Sequence, residues 1–293
     1  MTYFLNLRSH AVGGWLDSGS VKVQLDPAAT AAGFLQPIVG AADFHAAIDG
    51  KHLLLGVHGF NVPFVAGVQS LGTWATLLQP ENHPMFLGVL WPGDSVWAHG
   101  LDYPEEPKVA DEAGAKLAEF VEGALADAAS VSFVSHSLGA RVVLSTVKGM
   151  TRRAPRVTLM AGAIDDDCLN KEFQEATGKI DEISALSSEA DTVLGLAFPL
   201  GNLVAGVIDQ GHPWWREALG RSGPRKPLPA NFKPPFQIPT DWRYGHHHYL
   251  QTDPGAPGMI PLTAVEPFGI EPLGGQDGFH QAFSSAFVSL RLR

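Results

Sequence analysis

One short segment combines the residue types and spacing that nucleophilic catalysis by a serine requires. The segment is Ser135-His136-Ser137-Leu138-Gly139, and it lies directly between an apolar run, VSFV, and a second one, LGARVVLSTV. The small residues two positions before and after Ser137 would let a strand and a helix approach each other around a sharp turn, which exposes the central serine. The pattern predicts Ser137 as a nucleophile. The alternative is an ordinary strand–turn–helix connection whose serines cap the helix.

A second segment has the composition of a loop that stabilises a developing oxyanion. Val57-His58-Gly59-Phe60-Asn61 follows the apolar run HLLLGV. A glycine here allows the backbone to approach a reacting carbonyl group, and the N–H of a neighbouring residue can then donate to the oxyanion. We expect the backbone N–H groups of Phe60 and Leu138 to form this oxyanion hole, with Asn61 as the alternative to Phe60.

The elements that would carry these segments alternate between strand-like and helix-like patterns. Alternation of this kind indicates a parallel sheet with helices on both faces, and the fully apolar strand runs agree because central strands of such sheets are buried on both sides. The predicted strands are Thr2–Leu7, Val21–Leu25, His52–Val57, Met85–Leu90, Val131–Val134, Val157–Met160 and Ile180–Leu186. The predicted helices are Val65–Leu78, Lys108–Ala129 and Leu138–Val147.

Composition limits which partners the protein is expected to bind and in which cellular compartment it is expected to lie. The formal net charge is −10, with 30 acidic against 20 basic residues, so a nucleic-acid-binding surface is not expected. The single cysteine, Cys168, excludes an intramolecular disulfide and favours a reducing compartment, and the N-terminus shows no signal peptide, so a cytoplasmic protein is expected. Val193–Ile208 is uncharged, but its 16 residues are short of the roughly 20 that a membrane span needs. No transmembrane span is therefore predicted.

The chain is predicted to form a single domain over residues 1–293. Six prolines between Ser222 and Thr240 exclude a continuous helix there and indicate an extended connection. Together with the uncharged segment before them, they define a cap-like apolar and Pro-rich insertion at about residues 192–240. Gly278–Leu290 is predicted to be a closing helix.

Three runs of sequence together resemble a known family. LLLGVHGFNVPF, FLGVLWPGDS and VSFVSHSLGARVVL resemble the α/β-hydrolase superfamily in its lipase and esterase branch, and are most similar to bacterial members long catalogued as a domain of unknown function. The likeness covers about residues 50–250. It implies the α/β-hydrolase fold, with a mostly parallel sheet of about eight strands, and a Ser-Asp-His triad in that chain order.

The resemblance then directs attention to an acid and a base. Asp191 follows the predicted strand ISAL in a Ser-x-x-Asp turn like that of the family, and Asp165–Asp167 after the previous strand are the alternative. Asp191 would otherwise be a helix N-cap. His246 matches the family's Gly-His-x-x-aromatic-Leu pattern and is the expected base, with His280 as the rival. His58 and His136 are expected to be structural members of their loops.

These residues predict hydrolysis of a carboxylic ester through an acyl-enzyme intermediate. The neutral, aromatic segment after Asp191 suggests an apolar pocket formed by Phe198, Trp214 and Trp215. A small-molecule ester is the expected partner, and neither a cofactor nor a metal is predicted; the triple histidine lacks the accompanying spaced ligands of a zinc site. Two alternatives use the same residues: a non-catalytic hydrolase-like binding scaffold, and an acyltransferase that passes the acyl group to an alcohol.

Overall fold

The structure is a computed structural model that describes residues 2–8, 16–24, 36–37, 41–77, 85–94, 106–196, 217–233, 237–240 and 243–249. Its strands are β1 Thr2–Arg8, β2 Leu16–Gln24, β3 Gln36–Pro37, β4 His52–Val57, β5 Met85–Leu90, β6 Ser130–His136, β7 Ala154–Met160 and β8 Ile180–Leu186. The strands β4, β5 and β8 have the predicted bounds. The predicted strand Val131–Val134 is too short, because β6 continues to His136 and so carries the chain up to the candidate nucleophile.

The described strands form one eight-stranded sheet in the order β3-β2-β1-β5-β4-β6-β7-β8. The six strands from β1 to β8 in this order run parallel, whereas β2 and β3 form antiparallel pairs at one end. Parallel neighbours require crossover connections, and the helices of the chain supply them. The predicted α/β-hydrolase fold, with a mostly parallel sheet of about eight strands, is confirmed.

The helices whose bounds the structure describes are α1 Ala41–Ile48, α2 Phe64–Leu77, α3 Glu106–Glu122, α4 Gly139–Gly149, α5 Gln174–Gly178 and α6 Leu219–Ser222, with a 3₁₀ turn at Cys168–Asn170. The predicted helix Lys108–Ala129 is wrong at its C-terminal end. It ends at Glu122, because Gly123 follows and glycine has a low helix propensity, and the chain then continues in turns to β6. Helix α1 and the short elements after β7 were not predicted.

The centre of the sheet is what positions the candidate site. In β4 only His52 is exposed, and the next five residues are buried, as expected for a strand covered on both faces. The register between β4 and β6 pairs Val57 with Ser135. Both strands therefore end at the same edge of the sheet, and the loop that begins at His58 lies beside the turn that carries Ser137.

The Pro-rich segment follows the open edge of the sheet where it is described. Phe232 and Gln237 form isolated parallel bridges with Ile183 and Ser187, at β8 and directly after it. The Lys233 N–H donates to the carbonyl of Ile183 at 2.8 Å. Where it is described, the segment covers backbone groups of an edge strand that would otherwise be unpaired.

Several predicted features lie outside the described residues. They are the pocket residues Phe198, Trp214 and Trp215, the alternative base His280, the closing helix at 278–290, and most of the cap-like segment before residue 217. Within the part of the chain that the structure describes, no helix has both the length and the apolar character to cross a membrane.

Candidate active site

Ser137 lies in a sharp turn with a backbone conformation that serine rarely adopts. Its φ of 54° falls in the left-handed region, which costs a non-glycine residue roughly 1–3 kcal/mol and persists only where the surroundings hold it. Two hydrogen bonds do so here. The Ser137 N–H donates to the carbonyl of Met160 at 2.9 Å, and the Ser137 carbonyl accepts from the N–H of Ala163 at 3.1 Å. The end of β7 thus holds the turn between β6 and α4.

Two glycines allow the chain to pack closely around this turn. A Cβ atom on Gly139 would lie 2.5 Å from the carbonyl oxygen of His58, so any side chain there would separate α4 from the end of β4. A Cβ atom on Gly59 would lie 2.9 Å from the Cβ of Ser137. Since carbon atoms separate to about 3.5–4.0 Å, only glycine permits this approach of loop and turn.

The structure brings Ser137, His246 and Asp191 into one hydrogen-bonded chain. The Nε2 atom of His246 is 2.9 Å from the Oγ of Ser137, and its Nδ1 atom is 2.7 Å from the Oδ2 of Asp191. A carboxylate can only accept, so Nδ1 carries the proton and Nε2 has the lone pair that accepts from the Ser137 hydroxyl. All three side chains are buried, which strengthens each contact electrostatically.

The carboxyl group of Asp191 is held in place from both sides. Its Oδ1 atom accepts the N–H of Leu194 at 2.9 Å, while Oδ2 receives His246. The Asp191 carbonyl accepts from the Nη1 of Arg221 at 2.7 Å, which fixes the loop to α6. The N-cap interpretation and the acid interpretation of Asp191 are therefore compatible, because they use different oxygens of the same carboxylate.

Two of the alternative acids, Asp166 and Asp167, form ion pairs with residues other than His246. Asp166 pairs with the Nη2 of Arg225 at 2.9 Å, and Asp167 pairs with the Nζ of Lys171 at 2.7 Å. Burial raises the pKa of Asp166 despite its arginine partner. These carboxylates stabilise the loop after β7, and it is Asp191 that contacts His246.

The three consecutive histidines separate in space. His246 faces Ser137, and His247 lines the cavity in front of it. His248 turns back, and its Nδ1 atom accepts the N–H of Gly245 at 2.6 Å. The described residues include no group of three or more His, Cys, Asp or Glu side chains placed to hold a metal ion.

The loop after β4 is hydrogen-bonded to the loop after β5. The Asn61 N–H donates to the carbonyl of Gly93 at 2.6 Å, so this N–H is not available to an oxyanion and Phe60 remains the expected donor. Buried Arg8, at the end of β1, donates to the carbonyl of Val62 at 2.9 Å and forms an ion pair with buried Asp94. For the Leu138 N–H, the described residues supply no acceptor, which is the state an oxyanion donor needs.

His58 and His136 support the site in their neutral forms, in keeping with the structural roles expected of them. His58 Nδ1–H donates to the carbonyl of Gly59 at 2.8 Å, and its ring stacks on that of Trp91 with the ring centroids 5.7 Å apart. His136 Nε2–H donates to the carbonyl of His246 at 2.6 Å and so ties the serine turn to the histidine loop. Burial lowers the pKa of His58 to about 4 and that of His136 to about 3.

A cavity of about 270 Å³ opens in front of Ser137. Taking roughly 30 Å³ for each molecule in liquid water, this volume is that of about nine water molecules. Its walls come from the loop after β4, helix α2, the serine turn and the histidine loop. They are formed by His58, Gly59, Phe60, Asn61, Val62, Ala66, Ser70, Trp74, His136, Ser137, His246, His247 and Tyr249.

Some of these wall residues were not singled out from the sequence. Ser70 and Trp74 are four residues apart on α2, so they lie on one face of that helix, but helical spacing does not show which face borders a cavity. Tyr249 occupies the aromatic position of the Gly-His-x-x-aromatic-Leu pattern. That position was the available signal for Tyr249, since the motif places it three residues after His246.

Comparison with known proteins agrees with the fold. Neither a curated protein nor a solved structure matches the chain. A family model described as an alpha/beta hydrolase of unknown function (DUF900) matches residues 42–224, which include α2 through α6, the serine turn and Asp191. The chain therefore belongs to this family of α/β hydrolases of unknown function.

Proposed function

We propose that the protein is a serine hydrolase that cleaves carboxylic esters through an acyl-enzyme intermediate. The observation that carries this proposal is the hydrogen-bonded chain Ser137–His246–Asp191, with distances of 2.9 Å and 2.7 Å, at a turn with a positive φ. A strained strand-to-helix turn that presents a serine to a histidine–carboxylate pair is the arrangement that activates a serine nucleophile.

The reaction follows from the donors and acceptors in the site. His246 Nε2 takes the hydroxyl proton as Ser137 Oγ attacks the ester carbonyl, and Asp191 stabilises the resulting imidazolium. The backbone N–H groups of Leu138 and Phe60 hold the oxyanion. His246 then returns the proton to the leaving alcohol, and a water molecule releases the acid from Ser137 by the same steps in reverse.

The decisive experiment compares wild type with Ser137→Ala on a panel of p-nitrophenyl esters of rising acyl length, together with labelling by a fluorophosphonate probe. We expect turnover to fall by about 10⁶-fold and labelling to vanish, because the nucleophile is gone while the methyl group still fits the turn. A folded Ser137→Ala protein with near-wild-type turnover would overturn the proposal. Wild type that neither turns over nor reacts with the probe would favour the non-catalytic scaffold. Ester formation with an added alcohol would favour acyl transfer.

The identity of the base is tested separately. His246→Ala should be as damaging as Ser137→Ala, because both interrupt the same proton transfer. His248→Ala is the matched control, since this adjacent ring bonds Gly245 instead of Ser137. His280→Ala should also be mild, and an inactive His280→Ala protein would move the base to the C-terminal segment.

A further inference from the structure

The loop after β4, residues 58–62, contains a backbone conformation that its surroundings must hold. Asn61, directly after the expected oxyanion donor Phe60, has a φ of 54° in the left-handed region. Asparagine enters this region more readily than most residues, but the conformation is uncommon and persists where neighbouring groups fix it. The position of the Phe60 N–H relative to Ser137 therefore depends on the contacts on both sides of Asn61.

The contacts on the two sides of Asn61 come from different parts of the chain. The Asn61 N–H donates to the carbonyl of Gly93, in the loop after β5, at 2.6 Å. The next residue, Val62, is held through its carbonyl, which accepts from the Nη1 of Arg8 at 2.9 Å. Arg8 is the last residue of β1. A residue distant in sequence thus holds the loop on the side that leads into α2.

The guanidinium of Arg8 can fix Val62 because it is itself held by the loop after β5. Its Nη1 also donates to the carbonyl of Trp91 at 3.3 Å, and its Nη2 donates to the Oδ1 of Asp94. The side chain is buried. A planar guanidinium meets several acceptors at fixed angles, which a single ammonium group cannot do. Arg8 therefore sets the distance between the Val62 carbonyl and the loop after β5.

Geometry explains Arg8 better than stability does. The cost of removing a guanidinium and a carboxylate from water offsets much of their attraction, and an apolar pair of similar volume is often as stable. The loop that Arg8 holds, however, lines the cavity and closely approaches the serine turn. A Cβ atom on Gly59 would lie 2.9 Å from the Cβ of Ser137. A small shift of this loop therefore changes the space around the nucleophile.

We propose that Arg8 is a positioning residue for the oxyanion hole. Through the Val62 carbonyl it holds the loop after β4 so that the Phe60 N–H meets the oxygen of the tetrahedral intermediate. This inference rests on the proposed esterase function and deepens it. Arg8 acts through the loop and not on the substrate, in keeping with its absence from the described wall residues of the cavity.

The test is Arg8→Lys, which keeps a positive charge beside Asp94 but cannot serve all three acceptors of the guanidinium. The values of kcat and KM are measured on p-nitrophenyl butyrate. The inhibition constant is measured for propyl trifluoromethyl ketone, whose carbonyl carbon is attacked by the Ser137 Oγ and whose oxygen then becomes the oxyanion. This adduct resembles the tetrahedral intermediate, so its affinity reports on the oxyanion hole.

We expect Arg8→Lys to lower kcat by about 10–100-fold and to leave KM within about twofold, because a misplaced donor acts on the transition state. The inhibition constant of the ketone should rise by the same factor as kcat/KM falls. Arg8→Met combined with Asp94→Asn is the second variant. It removes the guanidinium without leaving a charged carboxylate beside the gap, and it should lower kcat to a similar extent.

Arg152→Lys is the matched control. Arg152 also donates to two backbone carbonyls, those of Leu125 at 3.1 Å and Ala128 at 2.7 Å. It lies just before β7, whereas Ser137 follows the parallel strand β6, so the two are at opposite edges of the sheet. The loss of its contacts affects stability alone, and we expect the kcat, KM and inhibition constant of wild type.

The inference is overturned if folded Arg8→Lys has the kcat of wild type, if KM changes in place of kcat, or if the inhibition constant is unchanged. It is also overturned if Arg152→Lys is equally slow. If neither Arg8 variant melts cooperatively, Arg8 is needed for the fold itself and the inference fails. Each of these results leaves Ser137-dependent hydrolysis by wild type intact and refutes only the role of Arg8. Absence of any Ser137-dependent hydrolysis refutes the proposed function, and this inference with it.

Discussion

Replacing Gly59 with alanine would separate the candidate oxyanion loop from the nucleophile. The added Cβ atom would lie 2.9 Å from the Ser137 Cβ, 3.1 Å from the His136 Nδ1 and 3.3 Å from the His136 carbonyl oxygen. Neither side can yield easily. The Ser137 turn is bonded to the end of β7, and the loop is bonded to Gly93 through Asn61.

The size of the effect follows from these distances. Since carbon atoms separate to about 3.5–4.0 Å, the 2.9 Å contact with Ser137 must widen by about 0.6 Å or more. An oxyanion donor acts over about 2.7–3.1 Å, so the same displacement takes the Phe60 N–H out of useful range. Loss of one such donor lowers kcat by about 10²–10³-fold. KM should change little, because the interaction forms only as charge develops on the oxygen.

The assay is kcat and KM on p-nitrophenyl butyrate, with a thermal melt to show that the variant is folded. Gly162→Ala is the matched control. It lies beyond the end of β7 near the same turn, but its Cβ atom would meet Ala140 and Leu219 at 3.5 Å, an ordinary contact distance, so we expect near-wild-type kinetics. A folded Gly59→Ala protein with kcat within about twofold of wild type would refute the assignment of this loop to the oxyanion hole.

Two further predictions concern stability. Arg8→Met should lower the free energy of unfolding by about 3–5 kcal/mol in urea denaturation, because it removes the buried guanidinium that pairs with the buried Asp94 carboxylate. Arg153→Met removes an exposed ion pair and should cost less than about 1 kcal/mol. Equal losses in the two variants would contradict this account. Stability should also fall as the pH drops from about 6.5 towards 4, because the pKa values of His58 and His136 are lowered by burial in the folded state and the unfolded chain therefore takes up protons first. The slope should reach about 1.4 kcal/mol per pH unit for each histidine, and urea titrations that give the same stability at about pH 7 and pH 5 would refute it.

The strands that were predicted well are those with a continuous apolar run. β4 and β5 are six-residue segments bounded by polar or turn-forming residues, and burial on both faces leaves little ambiguity in such a pattern. Helix α1 was missed because it has only two turns, although Phe44 and Ile48, four residues apart, pack its apolar side into the core. β3 is two residues long and is defined by its pairing with β2, which no local pattern records.

The candidate site was predictable where a single segment carries the information. The spacing around Ser137 and the aligned ends of β4 and β6 follow from local sequence and from the parallel sheet. The choice between Asp191 and the aspartates after β7 does not follow from local sequence, because the chain order of the triad permits either. What distinguishes them is Arg225, a residue distant in sequence that neutralises Asp166, together with the direct contact of Asp191 to His246.

The proline-rich segment along β8 has a consequence for how the chain is made. Synthesis proceeds from the N-terminus, and domains generally begin to fold in that order. β8 therefore leaves the ribosome before residues 231–233 and 237–238, and until they follow, its outer backbone groups form an open edge able to pair with another chain. His246 comes only a few residues after the segment that covers this edge. A nascent chain therefore covers the β8 edge of its sheet before His246, the candidate base, is synthesised. A chain that stops short of residue 231 has an uncovered β8 edge and also lacks His246.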